Sequence, residues 1–341
     1  MENTLTTLSQ EMLSTLNAEM RAILQANNHQ PDSFYGMIHY HMGWVDENMQ
    51  PVQVNAGKQI RPLLLLLATS AAGGKWQDAL PAAAAIEILH NFSLVHDDIE
   101  DASPTRRGRT TLWKIWGIEQ AINTGDAMFA LAHLAMVRLA ERGVPPETVV
   151  YALRRFDETA VRLTQGQHAD MAFETQEQVT PEAYVEMITG KTAVLVALSA
   201  ELGAKIAGAS DKTVAHYRQF GLDLGLAFQV KDDILGIWGD ETLTGKSAAT
   251  DIVTKKKTLP VLYGLAHSPE LAQLYTTAKP DAHFVETAVA LLNQCGAKEY
   301  ANQTATTYSN NALTQLKAAQ TKGPAGEALH QLASILLNRN S

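Results

Sequence analysis

The chain is 341 residues long with a formal net charge of −9 at neutral pH, which argues against general electrostatic attraction to nucleic acid. Hydrophobic residues make up 46 % and aromatic residues only 6 %, with Ala and Leu dominant, a composition that favours helices over sheets. A single cysteine, Cys295, excludes an intramolecular disulfide framework and any multi-cysteine zinc site.

Residues 3–28 place Leu5, Leu8, Met12, Leu16, Met20 and Ile23 at helical spacing and predict an amphipathic first helix, with a turn over 27–33. Met1-Glu2-Asn3 lacks the basic flank of a signal peptide, and the most apolar run, Leu63 to Ala68, is far too short to span a bilayer. A soluble cytoplasmic protein without a transmembrane segment is therefore expected. A second helical stretch, rich in His and Met, ends near Pro51. Gly57-Lys58-Gln59-Ile60-Arg61-Pro62 opens the next helix, and Pro62 suits its first position. A helix start offers free N–H groups to an anion, and Lys58 and Arg61, three apart, can face one phosphate together. Two solvated cations in a first turn are the plainer alternative. That helix ends at Gly73-Gly74.

From about Asp78 to Asp101 an Ala-rich apolar helix closes on Asp97, Asp98, Glu100 and Asp101. Asp97 and Asp101 share one helix face, and their carboxylates repel unless a cation or basic group lies between them. A solvated acidic helix end would read the same way in isolation. After Arg106-Arg107-Gly108-Arg109, a helix from about Ile115 to Arg142 carries Asn123-Thr124-Gly125-Asp126. Another runs from Pro145-Pro146 to about Phe173 and contains Gln165-Gly166-Gln167-His168-Ala169-Asp170. These polar residues are either satisfied core groups or the lining of a polar cavity. Thr180 is an N-cap before Pro181, and the helix that follows holds Gly190-Lys191-Thr192 inside an apolar run. A lysine there either reaches a charged partner or snorkels to the surface. A long helix from Asp211 to Trp238 ends in Phe228-Gln229-Val230-Lys231-Asp232-Asp233-Ile234-Leu235-Gly236, a second aspartate pair about 130 residues after the first. The polar loop from Gly239 to Thr258 holds Gly245-Lys246, Thr250-Asp251 and Lys255-Lys256-Lys257. The rest is helical, with turns near Ser268-Pro269, Lys279-Pro280 and Gly323-Pro324. No stretch has the pattern of a strand, and no break marks a domain boundary, so one domain over 1–341 is expected.

Carboxylate oxygens without cysteine or clustered histidine indicate a hard cation, with Mg²⁺ the leading choice. Mg²⁺ usually binds through a few carboxylates plus ligand phosphate oxygens. Basic residues concentrated at Lys58/Arg61, Arg106/Arg107/Arg109 and 255–257 suit a compact anion, and the Leu, Ala, Met and Phe around them suit a hydrocarbon tail. A diphosphate head on an apolar tail satisfies all of these features.

In this order, the blocks GKQIRP (57–62), LHNFSLVHDDIED (89–101), RRGR (106–109), GD (125–126), GKT (190–192), FQVKDDILG (228–236), GKS (245–247) and KKKTLP (255–260) resemble a trans-isoprenyl diphosphate synthase of the polyprenyl synthetase family, over nearly the whole length. The resemblance implies an all-α isoprenoid-synthase bundle around a deep central cavity, usually a homodimer. It implies head-to-tail condensation of isopentenyl diphosphate with an allylic diphosphate, with no side-chain base assigned, since the departing diphosphate takes the final proton. Carried over by position, Asp97 and Asp101 ligate two Mg²⁺ with Asp98 supporting, and Asp232 holds a third with Asp233 nearby. Arg106, Lys191, Thr192, Gln229, Lys246 and Lys256 resemble the allylic diphosphate contacts, with Lys255 or Lys257 as alternatives to Lys256. Lys58, Arg61, His90 and Arg107 resemble the isopentenyl diphosphate site. Gly236 departs from the pattern, since the family commonly has a third aspartate there.

Family product length depends on the residues just upstream of the first acidic motif, here Phe92 and Ser93. Ser93 lies one turn from Asp97 and leaves room, whereas Phe92 sits about 7.5 Å along the axis and can act as a partial floor. That pattern resembles synthases that make geranylgeranyl diphosphate, with farnesyl or a longer polyprenyl product as alternatives. A class I terpene cyclase would not need basic residues for a second diphosphate. A non-catalytic subunit would tend to lose the aspartates.

Overall fold

The computed structural model describes residues 4–25, 33–52, 54, 57–176, 178–239, 249–277 and 280–338. Among the described residues it is all-α apart from one hairpin of two two-residue strands. The chain forms two compact units, the first from residues 1–160, 198–215 and 320–329, the second from 161–197, 216–319 and 330–341. Their segments interleave along the chain, so no linker or composition shift marks them.

In the first unit, α1 (Thr4–Ile23) buries Leu5, Met12, Leu16, Met20 and Ile23, the predicted stripe. α2 (Ser33–His41) stops well short of Pro51; the chain then turns back, and Val45 bridges to Pro51. α3 (Ile60–Ala71) begins two residues before Pro62, so the proline sits in the third helical position rather than the first. Gln59 is in the left-handed region at φ 46°, and its carbonyl accepts the N–H of Leu63, which moves the start upstream. Pro62 remains acceptable because the first-turn N–H groups have no intrahelical partner.

α4 (Leu80–Glu100) buries Ala82 to Ala85 and Ile86 completely. These small side chains let α6 (Ile118–Val137) pack along it through Met128, Ala132, Ala135 and Met136. Between them come β1 (Thr105–Arg106), β2 (Arg109–Thr110) and α5 (Leu112–Trp116). The hairpin was not visible as a strand pattern. Thr105 pairs with Thr110 and Arg106 with Arg109, and the two loop residues, Arg107 (φ 53°) and Gly108 (φ 75°), have the positive φ of a type I′ turn. Gly117, at φ 89°, divides what the sequence predicts as one helix from Ile115.

α7 (Pro146–Thr175) follows the expected bounds closely. Thr180 caps α8 (Pro181–Ile188) by accepting the N–H of Ala183 at 3.1 Å. The Gly190-Lys191-Thr192 block lies in a π-helical turn, Thr189–Ala193, that leads into α9 (Val194–Ile206). π-turns inside helices frequently occur at functional sites. Pro181–Ile206 is long and apolar enough to cross a bilayer, but most of its apolar stretch is buried inside the protein, as in a core helix.

α10 (Asp211–Trp238) has the predicted bounds. In the second unit, α11 (Thr250–Val253), α12 (Leu259–His267), α13 (Pro269–Thr277), α14 (Ala282–Gln294) and α15 (Ala297–Ala318) follow. Tyr184, Ile188, Ala193, Val230, Leu259 and Ala301 form one of its cores, and Ile237, Ile252, Val261, Phe284 and Leu292 another. α16 (Gly323–Leu337) ends the described chain.

Candidate active site

The first acidic motif ends α4 in the first unit. Asp97 and Asp98 are bridged by Arg106, which donates from Nη2 to Asp97 Oδ2 and from Nε to Asp98 Oδ1, each at 2.7 Å. The hairpin supplies this guanidinium, which is why the short strands matter. Asp98 is 3 % exposed; burial, with smaller contributions from the Asp97 and Asp101 charges, pushes its carboxyl up to about 6 despite Arg106. Asp101 is the exposed C-cap of α4, one turn from Asp97.

Beside it lies a basic cluster. Arg61 Nη1 is 3.3 Å from His90 Nε2. Burial holds His90 well below its ordinary pKa, and the Arg61, Arg107, Arg106 and His41 charges lower it further. The ring is therefore neutral, Nε2 accepts from Arg61, and the proton resides on Nδ1. Gly57 faces the Arg107 guanidinium so closely that a Cβ would lie 2.9 Å from Nη2. Lys58 is exposed just before α3. An open cleft is lined here by Tyr40, His41, Asp98, Arg106, Arg107 and Arg109. Arg109 is committed to the scaffold, donating to the Tyr40 and Val45 carbonyls at 2.7 Å each.

Two groups in this cluster, the buried Glu87 and the half-buried His41, have no mark in the sequence. Glu87 is 3 % exposed; burial raises its pKa against the opposing charges of Arg61 and Arg107, and Asn91 Nδ2 donates to its Oε1 at 3.2 Å. His41 is held down to about 3 by burial, then by the Arg107 and Arg106 charges.

Upstream, Phe92 packs on Phe129 with ring centroids 5.1 Å apart, and Phe129 contacts His133 at 4.6 Å. Ser93 turns its hydroxyl back to the His90 carbonyl at 2.8 Å and so needs no outside partner.

The second acidic motif lies on α10 in the second unit. Asp233 is 2 % exposed and fully engaged: Tyr184 donates to Oδ2 at 2.5 Å, Gln229 Nε2 to Oδ1 at 3.2 Å and the Leu259 N–H to Oδ2 at 3.4 Å. Burial nonetheless pushes it up to about 7. Thr192 donates to Gln229 Oε1 at 2.9 Å, so Thr192, Gln229, Asp233 and Tyr184 form one chain of hydrogen bonds. Asp232, the neighbouring half-buried residue, lies off this chain. Lys191 pairs with Asp170 at 2.5 Å, which answers both the mid-helix lysine and the polar block on α7. That pair depends on two glycines: a Cβ at Gly166 would lie 2.1 Å from Lys191 N, and one at Gly190 would lie 2.7 Å from the Arg162 carbonyl.

Among the three lysines, Lys255 donates to the Tyr275 carbonyl at 2.8 Å and Lys257 to those of Phe173 and Gln176. Lys256 is exposed, and its charge acts on Asp233. Lys246 lies outside the described residues.

Residues 42–292 match the polyprenyl synthetase family model. The chain belongs to the polyprenyl synthetase family. As such it is a trans-isoprenyl diphosphate synthase, a prenyltransferase. It is 40 % identical over 301 residues to the geranylgeranyl diphosphate synthase of Mycobacterium tuberculosis, covering 87 % of this chain and 85 % of that one. It is 37 % identical over 313 residues to a (2E,6E)-farnesyl diphosphate synthase of the same species, covering 89 % and 86 %. The polyprenyl synthetase from Streptomyces coelicolor A3(2) superposes with a TM-score of 0.88 at 31 % identity, over 97 % of this chain and 99 % of that one. The fold is the all-α fold of this family.

Proposed function

We propose that this synthase condenses isopentenyl diphosphate with an allylic diphosphate, depends on Mg²⁺, and releases geranylgeranyl diphosphate. The observation that carries the reading is two acidic helix ends, each beside its own set of cationic and amide donors. Asp97 and Asp101 hold two Mg²⁺, with Asp98 supporting through Arg106, and Asp232 holds a third beside Asp233. Among the described residues no three His, Cys, Asp or Glu close into a ready-made cage, which suits an ion that relies on phosphate oxygens and water for most of its ligands. When bound, Mg²⁺ neutralises diphosphate charge.

Arg106, Lys191, Thr192, Gln229 and Lys256 take the allylic diphosphate oxygens, and Lys246 is assigned with them by resemblance. Lys58, Arg61, His90 and Arg107 take isopentenyl diphosphate, with the neutral His90 ring offering its Nδ1–H. The donors stabilise negative charge as the allylic C–O bond breaks, leaving a carbocation that an apolar lining shields from water. The isopentenyl double bond attacks it, and the departing diphosphate accepts the proton released as the new double bond forms. A farnesyl product is the second reading, favoured by Phe129 standing directly behind Phe92. Exposed Ile118, Ile122, Leu134 and Val137 on α6 suit burial against a second copy, and we assign a cytoplasmic homodimer.

Turnover of both substrates with and without EDTA tests the reading. Asp97→Asn and Asp232→Asn are each expected to lower kcat at least ~10²-fold at unchanged melting temperature. Metal-independent turnover, or wild-type kcat in both variants, overturns it.

A further inference from the structure

The hairpin sets two arginines side by side, Arg106 from β1 and Arg107 from the turn. Arg107 is the first central residue of a type I′ turn, at φ 53°, a conformation that favours Asn, Asp or Gly and disfavours an arginine. Such a residue keeps its conformation only where its surroundings hold it. Arg109, the strand partner of Arg106, supplies that hold. Its guanidinium donates from Nη1 to the Tyr40 carbonyl and from Nη2 to the Val45 carbonyl, each at 2.7 Å, and its Cζ lies 3.9 Å above the Tyr40 ring. Tyr40 completes the link from the other side. Its hydroxyl donates to the Thr110 carbonyl at 2.8 Å, and its ring meets Trp116 edge-on at 5.1 Å. The platform is itself ordered: Tyr40 is buried, the Val52 N–H donates to the Trp44 carbonyl at 3.0 Å, and the Asp46 N–H donates to the Gln50 carbonyl at 2.8 Å. A lysine at 109 would bring the charge but not the planar fork that spans two carbonyls.

We infer that Arg109, together with Tyr40, is a positioning residue for both diphosphates: it sets the hairpin so that Arg106 meets the allylic diphosphate and Arg107 meets isopentenyl diphosphate. The inference rests on the assignment of those two arginines above. One support then serves two substrates. Loss of Arg109 weakens both together, whereas loss of Arg106 or Arg107 weakens its own diphosphate first.

The test is steady-state kinetics of the full chain with each diphosphate varied in turn, alongside melting temperatures. Arg109→Gln is expected to raise both KM values and to lower kcat/KM for both substrates about 10²-fold, the cost of misplacing a substrate-positioning group by about 1 Å. Arg109→Lys is expected to fall between Arg109→Gln and wild type. Tyr40→Phe removes only the bond to the Thr110 carbonyl and is expected to raise both KM values by up to about 10-fold, the weight of one hydrogen bond. If Arg109→Gln does not fold, Arg109→Lys and Tyr40→Phe decide by the same criterion. Wild-type KM values overturn the inference, and so does a lower melting temperature with both KM values unchanged, which makes the anchor structural alone. A rise in only one KM overturns it too. Arg106→Gln and Arg107→Gln serve as controls. If they raise KM while Arg109→Gln is silent, the failure is confined to Arg109; if they are silent as well, the assignment of the two diphosphates fails with it.

Discussion

Gly166→Ala tests how the second unit positions Lys191. The added methyl would sit 2.1 Å from Lys191 N, 2.6 Å from Gly190 C and 2.8 Å from Lys191 Cα. All three are backbone atoms, so no side-chain rotation relieves the clash. Restoring an ordinary contact of about 3.5 Å requires α7 and the π-turn to separate by about 1.4 Å. The Lys191–Asp170 pair, 2.5 Å apart, spans that same crossing and stretches with it. Overpacking of this kind costs about 1–3 kcal/mol of stability. A displacement near 1 Å of a substrate-positioning group costs about 10²-fold in rate. The expected result is a lower melting temperature and a kcat down about 10²-fold in steady-state assays with both diphosphates. A variant within twofold of wild-type kcat, with an unchanged melting temperature, would show that the Gly166 contact does not position Lys191. Gly190→Ala, whose Cβ would lie 2.7 Å from the Arg162 carbonyl, is expected to follow the same direction.

Phe92→Ala is expected to lengthen the product, and Phe92→Ala/Phe129→Ala to lengthen it further, because the second ring backs the first at 5.1 Å. Mass spectrometry of the products checks this, and an unchanged distribution in both variants removes the floor. Glu87→Gln takes away the buried acidic neighbour whose charge opposes those of Arg61 and Arg107, and is expected to lower the melting temperature. Inorganic diphosphate should recover more of the lost melting temperature than it adds to wild type, since an incoming anion replaces the missing charge; equal shifts in both proteins count against it. His41 is held down to about 3, so it stays neutral in the fold while the unfolded chain takes up its proton below about 6.5. Its stabilising effect is present above 6.5 and is lost as pH falls toward 3, at about 1.4 kcal/mol per pH unit. Denaturant melts at several pH values should show a shallower acid limb for His41→Asn, and identical slopes contradict the assignment.

The long helices were legible because their evidence is local: the stripe of α1, the Thr180-Pro181 start of α8, the span of α10. The same holds for the two acidic helix ends. The start of α3 was misplaced because Gln59 adopts a left-handed conformation that nothing in its neighbours requires. The hairpin escaped notice because two-residue strands carry no periodicity; its Arg109 is fixed by the Tyr40 and Val45 carbonyls, far away in sequence. Within the site, Glu87, His41 and Tyr184 looked like any polar residue on an apolar helix, since only their spatial partners distinguish a satisfied core group from part of a site. The mid-helix cost of Gly190 was visible in the sequence. Its cause, the close approach to Gly166, was not. Gly236 stood out only as a departure from the family pattern until the carboxylate of Asp251 appeared against it.

The most direct measurement is the mass of the product formed by the purified chain from isopentenyl diphosphate and an allylic diphosphate primer in Mg²⁺. The expected product is a linear C20 diphosphate, formed only with metal present and lost in Asp97→Asn. A cyclic hydrocarbon, or no condensation at all without a second protein, would contradict it.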